Sequence, residues 1–272
     1  MNSSNFRAAG HILAPCRVDA GATYDDLLFV GCYQKGVNQA YLSTADGPFS
    51  AVPIQDCGTT AKITDATFSD DGDRLLIAVS ACGFFELARP FFGQKWTKIW
   101  SVKAYSVKEI TRGFIYSSNA ESKVLYEDQE TGLLAIQELP GAYRAVQDSG
   151  RVWITSITSD AIWSLDALSP DALDLTKHEL PTHLKPRWEH SHFNDVCAWN
   201  GKIFVADRFG GRVLTINSLG DKKNWKSVPL GKFVEPVRWI CLEDSAPLLI
   251  TQGVRGGLFR FDQQSNSDED RS

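Results

Sequence analysis

The sequence has little of what membrane proteins, secreted precursors and cysteine-based metal proteins carry. Among its 272 residues, no apolar run approaches the roughly 18 residues that a membrane-spanning helix needs. Residues 1–10 contain no apolar core of the kind found in signal peptides, so we expect a cytoplasmic protein. These absences predict a water-soluble globular chain.

The six cysteines do not have a metal-binding or redox spacing. The two nearest in sequence, Cys16 and Cys32, are 16 residues apart, so the chain has no CxxC motif. An even number would suit disulfides in an exported protein, but no signal sequence supports export. We therefore interpret the cysteines as buried thiols within strands.

The charge balance disfavours two classes of partner. With 28 basic and 33 acidic side chains, the formal net charge is −5. A mildly acidic chain is not expected to use nucleic acid or an anionic membrane as its main partner. The apolar fraction of 43% is enough to build a core. We expect a monomer or a weak homo-oligomer.

A short apolar run followed by a turn and a second strand recurs six times along the chain. The runs start 38 to 51 residues apart and occupy residues 27–31, 75–79, 114–118, 152–156, 203–207 and 248–252. A further strand precedes most of them and ends in a tight turn, as at Asp71-Gly72 and Asn200-Gly201. A fourth, proline-containing strand is indicated at residues 52–54, 136–140, 178–181 and 228–230.

Four antiparallel strands at a period of about 40–50 residues are typical of a β-propeller blade. The sequence therefore predicts an all-β fold, a six-bladed β-propeller with four strands per blade. Residues 1–262 would form one domain, and the polar tail 263–272 would be disordered. The last repeat lacks a fourth strand, and residues 10–15 resemble it, so we expect an N-terminal strand to close the ring.

In a propeller, the first strand of each blade lines the central channel. The connections that lead into these first strands meet on one face of the propeller. Residues at those connections are the candidates for substrate contacts: Tyr33, Tyr143, Arg144, Trp188, Arg208, Arg238 and Trp239. Arg144 and Arg238 would hold a carboxylate or an enolate-like oxygen. The alternative is that these arginines pair with Asp65 and Asp195 and that the tryptophans only pack.

The strongest local pattern is the segment Trp-Glu-His-Ser-His-Phe-Asn-Asp at residues 188–195. Alternate residues of an extended backbone share a face, so His190, His192 and Asn194 would point together. Two imidazoles placed in this way can bind a divalent metal or move a proton. Asn194 and Asp195 offer oxygen donors of the kind that calcium prefers. A metal site, a metal-free acid–base site and a purely structural loop all stay open.

Two stretches carry a resemblance to a known group of proteins. Residues 193–207, which begin Phe-Asn-Asp-Val and end Lys-Ile-Phe-Val-Ala-Asp, and residues 63–78 resemble repeats of the six-bladed gluconolactonase/regucalcin, paraoxonase and strictosidine-synthase-like propellers. By that resemblance, a channel calcium would be held by Asn194 and Asp207. In the metal-free branch of the group, a channel acid acts between aromatic walls, and Glu189 or Asp65 would take that place. The resemblance implies either no cofactor or one divalent ion, calcium first.

Three classes of function follow. The first is a small-molecule enzyme at the channel mouth, either a lactone or ester hydrolase or a metal-free biosynthetic cyclase, with His190 or His192 moving the proton. The others are a protein-interaction platform and a non-catalytic binder of a small acidic ligand. We expect the enzyme, acting on an acidic or aromatic compound, since Trp-Asp and Gly-His repeat signatures of interaction propellers are missing.

Overall fold

The computed structural model describes residues 6–10, 17–34, 37–44, 48–54, 57, 61–69, 71–101, 105–128, 131, 134–168, 174–186, 191–218, 224–228, 237–243, 246–251 and 258–261. For residues 6–10, 17–19, 23, 33–34, 37–38, 100, 134 and most of 237–261, the backbone alone is described. The described residues form 24 strands, β1 to β24 in chain order, which pair into six four-stranded sheets. The chain divides into two compact units.

The unit Ala14–Leu139 contains three sheets, each built from four consecutive strands. They are β2 (Arg17–Tyr24), β3 (Leu27–Gln34), β4 (Val37–Thr44) and β5 (Ser50–Ala51); β6 (Ile63–Phe68), β7 (Arg74–Val79), β8 (Gly83–Ala88) and β9 (Thr97–Trp100); and β10 (Ser106–Ile110), β11 (Gly113–Ser118), β12 (Lys123–Asp128) and β13 (Leu134–Glu138).

The other unit, Met1–Leu13 with Pro140–Ser272, also contains three sheets. They are β14 (Ala142–Asp148), β15 (Arg151–Ser156), β16 (Ala161–Asp166) and β17 (Thr176–Glu179); β18 (Phe193–Trp199), β19 (Lys202–Asp207), β20 (Arg212–Asn217) and β21 (Lys226–Val228); and β22 (Val237–Glu243), β23 (Ala246–Thr251), β24 (Leu258–Phe261) and β1 (Phe6–Gly10). A 3₁₀ turn, Thr182–Leu184, follows β17.

Every paired strand is antiparallel to its neighbour, and the repeating four-stranded sheet is the blade of a β-propeller. The six predicted apolar runs coincide with the second strands β3, β7, β11, β15, β19 and β23. These strands read as continuous apolar segments because both of their faces are covered. In β7, for example, Leu75, Leu76 and Ile77 are fully buried.

The core of each unit lies between its neighbouring sheets. In Ala14–Leu139, Phe29 and Leu42 of one sheet pack in a common cluster with Ile63 and Leu75 of the next. Gly31 in β3 marks the closest approach, since a Cβ there would lie 2.9 Å from a methyl carbon of Ile63. Small residues at such points let successive sheets pack face to face.

Three of the predicted fourth strands are confirmed as β13, β17 and β21. The fourth strand of the first sheet, β5, ends just before the predicted segment 52–54. Val52 continues the pairing, with its N–H donating to the Ala40 carbonyl at 2.8 Å. Pro53 has no N–H to donate, so the ladder stops there.

The last sheet takes its fourth strand from the N-terminal end of the chain, as expected. β1 pairs with β24 from Phe6 opposite Phe261 to Gly10 opposite Leu258. The strand lies earlier than the predicted segment 10–15, and residues 11–16 are outside the described part of the chain. The predicted disordered tail, 263–272, is also outside it.

The cysteines correct the prediction of free thiols. Cys57, before β6, is disulfide-bonded to Cys82 in the turn between β7 and β8, and Cys32 in β3 also belongs to a disulfide. Cys197 is buried and keeps its thiol. The spacing of the cysteines did not indicate these bonds. The paired residues are distant in sequence and come together only when the strands pair. No helix in the described residues is long and apolar enough to cross a membrane.

Removing β1 should destabilise the protein more than removing the tail. Deletion of residues 1–10 takes the pairing partner from β24 and exposes a strand edge, so we expect a loss of about 2 kcal/mol and a melting temperature about 4–8 °C lower. Deletion of residues 263–272 is the matched control and should leave the melting temperature unchanged. Equal melting temperatures for the two deletions, measured by circular dichroism, would contradict the role of β1.

Removing the Cys57–Cys82 disulfide should lower stability by about 3 kcal/mol, because the bond closes a loop across 25 positions. The double variant Cys57→Ala/Cys82→Ala, compared with the wild type in urea, tests this. Dithiothreitol should destabilise the wild type more than the double variant. If a non-reduced peptide digest contained no peptide linked through these two residues, the pairing itself would be wrong.

Candidate functional site

The first strands of five sheets share an irregularity close to their start. In β2, β6, β14, β18 and β22 the pairing with the second strand skips a position, and the skipped residues are Asp19, Thr64, Tyr143 with Arg144, Asn194 and Arg238. A bulge of this type re-aims a side chain away from the regular alternation. Four predicted site residues therefore occupy bulges of one unit: Tyr143, Arg144, Asn194 and Arg238.

The bulge at Arg144 is held by one side chain of the neighbouring strand. The hydroxyl of Thr155 accepts the Arg144 N–H at 3.1 Å and donates to the Arg144 carbonyl at 3.3 Å. The hydroxyl thus replaces the ladder hydrogen bonds that the bulge interrupts. Arg144 is only 6% exposed, so its guanidinium is carried into a nearly dry environment.

The charge of Arg144 faces an acid from the next sheet. Its Nε lies 3.8 Å from Oδ1 of Asp195, and both side chains are largely buried. Asp195 Oδ1 also accepts the N–H of Val196 at 3.0 Å. Of the two predicted alternatives for this arginine, the ion pair with Asp195 is therefore present. The separation is too long for a strong charge-assisted hydrogen bond.

In the other unit, Asp65 of β6 occupies the position that corresponds to Asp195 in β18: each aspartate directly follows the bulge of its strand. Its Oδ1 accepts the Ala66 N–H at 2.9 Å, and its Oδ2 accepts the Val107 N–H at 3.3 Å. Val107 belongs to β10, so this carboxylate links the first strands of two neighbouring sheets. The contacts give Asp65 a structural part, while its predicted catalytic part stays a prediction.

His192 is the predicted catalytic residue that the structure describes in most detail. Its N–H donates to Asp207 Oδ1 at 3.4 Å, and its carbonyl accepts the Arg208 N–H at 2.9 Å. One residue earlier, the Ser191 N–H donates to Asp160 Oδ1 at 2.6 Å. The backbone that carries the imidazole is thus fixed by two carboxylates, that of Asp160 just before β16 and that of Asp207 at the end of β19.

Asp207 ends β19 and is fully buried. Its Oδ2 accepts from Arg212 Nε at 2.9 Å, and its Oδ1 accepts the Gly210 N–H at 3.1 Å in addition to that of His192. Arg212 also donates to the carbonyl of Leu184. A Cβ at Gly210 would lie 2.2 Å from Asp207 Oδ2, so only glycine fits beside the carboxylate.

Three rings lie in a row from the interior of this unit to its surface. The His192 imidazole is centred 6.5 Å from the Tyr143 ring and 4.6 Å from the Phe209 ring, both nearly edge-on. Tyr143 is buried, His192 is half-buried and Phe209 is 56% exposed. We call these three residues the ring row. Such edge-to-face contacts orient the imidazole without using its nitrogens.

Each end of the ring row carries a guanidinium. Arg144 lies over the Tyr143 ring, 5.8 Å from its centre, and Arg208 lies over the Phe209 ring at 6.0 Å. These distances are within the range of cation–π attraction. The His192 imidazole therefore has, on either side, an aromatic ring that is contacted by a guanidinium.

Several predicted site residues cannot be placed against this row. Trp188, Glu189 and His190 lie outside the described residues. Tyr33, Arg238 and Trp239 are described by their backbone alone, and Asp65 belongs to the other unit. Tyr143, Arg144, His192, Asn194, Asp195, Asp207 and Arg208 are the predicted residues that the structure brings together.

The predicted calcium ligands do not fit a calcium site as they are arranged. Asp207 is bound to the guanidinium of Arg212, and Asp195 faces that of Arg144. A divalent cation on these carboxylates would be next to two positive charges. Within the described residues, no three His, Cys, Asp or Glu side chains converge on one point. Calcium binding stays a prediction, and Asn194 is its remaining candidate here.

Sequence reasoning missed four residues that build the site: Thr155, Asp160, Phe209 and Arg212. Phe209 had a recognisable signal, since a large aromatic residue within the tight turn Arg-Phe-Gly-Gly at 208–211 has no conformational reason to be there. Thr155 and Asp160 carried no such signal in the sequence. Thr155 acts at a bulge of the neighbouring strand, and Asp160 contacts Ser191 across 31 positions.

Several solved structures are similar to this chain in their fold. The chain is similar to a catalytically inactive variant of virginiamycin B lyase from Staphylococcus aureus solved with quinupristin, at 12% identity and a TM-score of 0.63, covering 94% of this chain and 99% of that one. It is also similar to the Cps50 (Swd1) β-propeller domain of Myceliophteria thermophila, at 11% identity and a TM-score of 0.64, covering 89% and 81%. A chain of a mitotic checkpoint complex matches at 11% identity and a TM-score of 0.61, covering 96% and 84%.

These similarities show a β-propeller fold. No family model and no curated protein matches the chain. The resemblance to the gluconolactonase, paraoxonase and strictosidine-synthase-like group is therefore supported for the propeller fold alone. One similar structure is a lyase and another belongs to a mitotic checkpoint complex, so the fold leaves the function open.

The Asp207→Asn variant should be strongly destabilised. The change leaves the Arg212 guanidinium facing a neutral amide in a fully buried place, which costs about 3 kcal/mol. The matched control is Asp73→Asn, whose ion pair with Arg89 is exposed and should be worth less than about 1 kcal/mol. Urea unfolding measures both. Similar losses for the two variants would show that Asp207 does not organise the turn.

Proposed function

We propose that this chain is an enzyme that acts on a small molecule at the ring row, with His192 as the group that moves a proton. The observation that carries the proposal is the setting of His192: a half-buried imidazole with its backbone fixed on both sides, placed between two aromatic rings and two guanidinium groups. A fixed imidazole in such surroundings is what general acid–base catalysis requires.

Two reactions fit these groups. In lactone or ester hydrolysis, His192 takes a proton from water as the water oxygen attacks the carbonyl, and the proton then passes to the leaving alkoxide oxygen. In the addition step of a metal-free condensation or cyclisation, His192 takes the proton from the carbon or oxygen that attacks a carbonyl carbon. It then gives the proton to the carbonyl oxygen that has become negative. In both, Arg144 or Arg208 stabilises the oxygen that becomes negative. The ion pairs of Asp195 and Asp207 favour the metal-free form.

We propose that the six four-stranded sheets are the six blades of one propeller domain, closed by β1 pairing with β24. Arg238 occupies a bulge that corresponds to that of Arg144, and we propose it as a further ligand contact. His190, Glu189, Trp188, Tyr33, Trp239 and Asp65 remain proposed contributors from the other connections.

The disulfides bear on where such an enzyme would fold. Cys57–Cys82 and the bond at Cys32 are typical of proteins that fold in oxidising compartments. We therefore propose an oxidising compartment in place of the cytoplasm that the sequence led us to expect.

A protein-interaction platform is the second candidate. The fourth strands β9 and β13 expose Ile99 and Ile136, the latter by 54%. Exposed apolar residues on outer strands suit a protein partner that packs beside them. In this case, changes at the ring row would leave the function intact.

Turnover that depends on His192 tests the enzyme proposal with no substrate chosen in advance. Purified wild type and His192→Gln are incubated with a cell metabolite extract, and compounds consumed or formed are followed by mass spectrometry. We expect at least one compound to be converted by the wild type and about 100-fold more slowly by the variant, since general acid–base catalysis contributes about 10²–10⁴-fold.

The control is His183→Gln, an exposed histidine in the 3₁₀ turn that should convert the same compound at the wild-type rate. Circular dichroism verifies that both variants fold. If both variants convert every compound as the wild type does, or if the wild type converts none, the enzyme proposal is wrong.

A further inference from the structure

The ring row has features that specify a class of ligand beyond the proposed reaction. Its outer end is Phe209, which is 56% exposed although it lies in a turn that could have placed a polar residue there. Its edge contact with His192 leaves much of the ring surface open to solvent. An exposed aromatic face beside a half-buried imidazole is suited to stack against a planar group.

The outer end of the row carries a guanidinium over its exposed ring. Arg208 lies over the Phe209 ring, and the nearest described acid in the same turn, Asp207, is buried and bound to Arg212. At the inner end, Arg144 is matched by Asp195 at 3.8 Å. Within this turn, Arg208 is therefore outside the Asp207–Arg212 ion pair, whereas Arg144 at the inner end faces Asp195.

We propose that the ligand of this site is a planar aromatic anion, whose ring stacks on Phe209 beside His192 and whose carboxylate or similar group pairs with Arg208. The inference rests on the proposed function for its location and adds the class of substrate. Stacking provides the preference for a flat ring, and the guanidinium provides the preference for negative charge. The ring would then lie within reach of the imidazole that moves the proton.

A set of three matched probes tests this proposal. Naphthalene-2-carboxylate is flat and anionic, decalin-2-carboxylate is anionic without an aromatic ring, and 2-naphthylmethanol is aromatic without a charge. Saturation-transfer NMR titrations of the wild-type protein should give a Kd on the order of 1 mM for the first probe. The other two should bind about threefold to tenfold more weakly.

Variants locate the binding. Phe209→Leu and Arg208→Gln should each weaken binding of naphthalene-2-carboxylate about threefold to tenfold. The controls come from the other unit: Phe92→Leu, at a phenylalanine that is 45% exposed, and Arg89→Gln, whose guanidinium lies over the Phe91 ring. Both controls should bind as the wild type does.

The outcomes separate this inference from the proposed enzyme. Equal binding of the naphthalene and decalin carboxylates, or equal effects of Phe209→Leu and Phe92→Leu, would overturn the aromatic-anion proposal whatever His192 does in turnover. Selective binding at Phe209 and Arg208 would support it, even where the metabolite experiment shows no conversion and the enzyme proposal fails.

Discussion

The buried carboxylate of Asp207 is the interaction on which the candidate site depends. It joins the end of β19, the turn that carries Arg208 and Phe209, the start of β20 through Arg212, and the backbone of His192. Each of these groups alone would be costly to bury or free to move. Because one carboxylate satisfies them together, the imidazole and the exposed ring beside it hold fixed relative positions. The metal-ligand role predicted for Asp207 stays a prediction beside these contacts.

The strands were predictable because their physical signal is local. A strand buried on both faces must be continuously apolar, and the six runs from residue 27 onward have that property. The turn residues Asp71-Gly72 and Asn200-Gly201 separate first from second strands for equally local reasons. The prediction that an N-terminal strand completes the last sheet succeeded because the final repeat visibly lacked one, although β1 starts earlier than expected.

The site was predictable in part, and the limits have physical causes. Tyr143, Arg144, His192 and Asn194 stand at the start of first strands, where a propeller presents its connections. The bulges that re-aim Arg144 and Asn194 leave no mark in a single sequence, because they are set by pairing with another strand. The disulfide between Cys57 and Cys82 was missed for the same reason, since the sulfurs meet only once the chain around β6, β7 and β8 has folded. Phe209 was overlooked because only the two glycines of the turn at residues 208–211 were used to interpret that turn.

The central claim is that a small molecule is bound and transformed against His192. The most direct measurement is a crystal structure of the protein with a compound that it converts, trapped in the His192→Gln variant. The account predicts electron density for the compound against residue 192, with its flat group on Phe209 and a negatively charged group at Arg208 or Arg144. Density for the compound at another place, such as the outer strands β9 and β13, with the ring row in contact with solvent only, would contradict it.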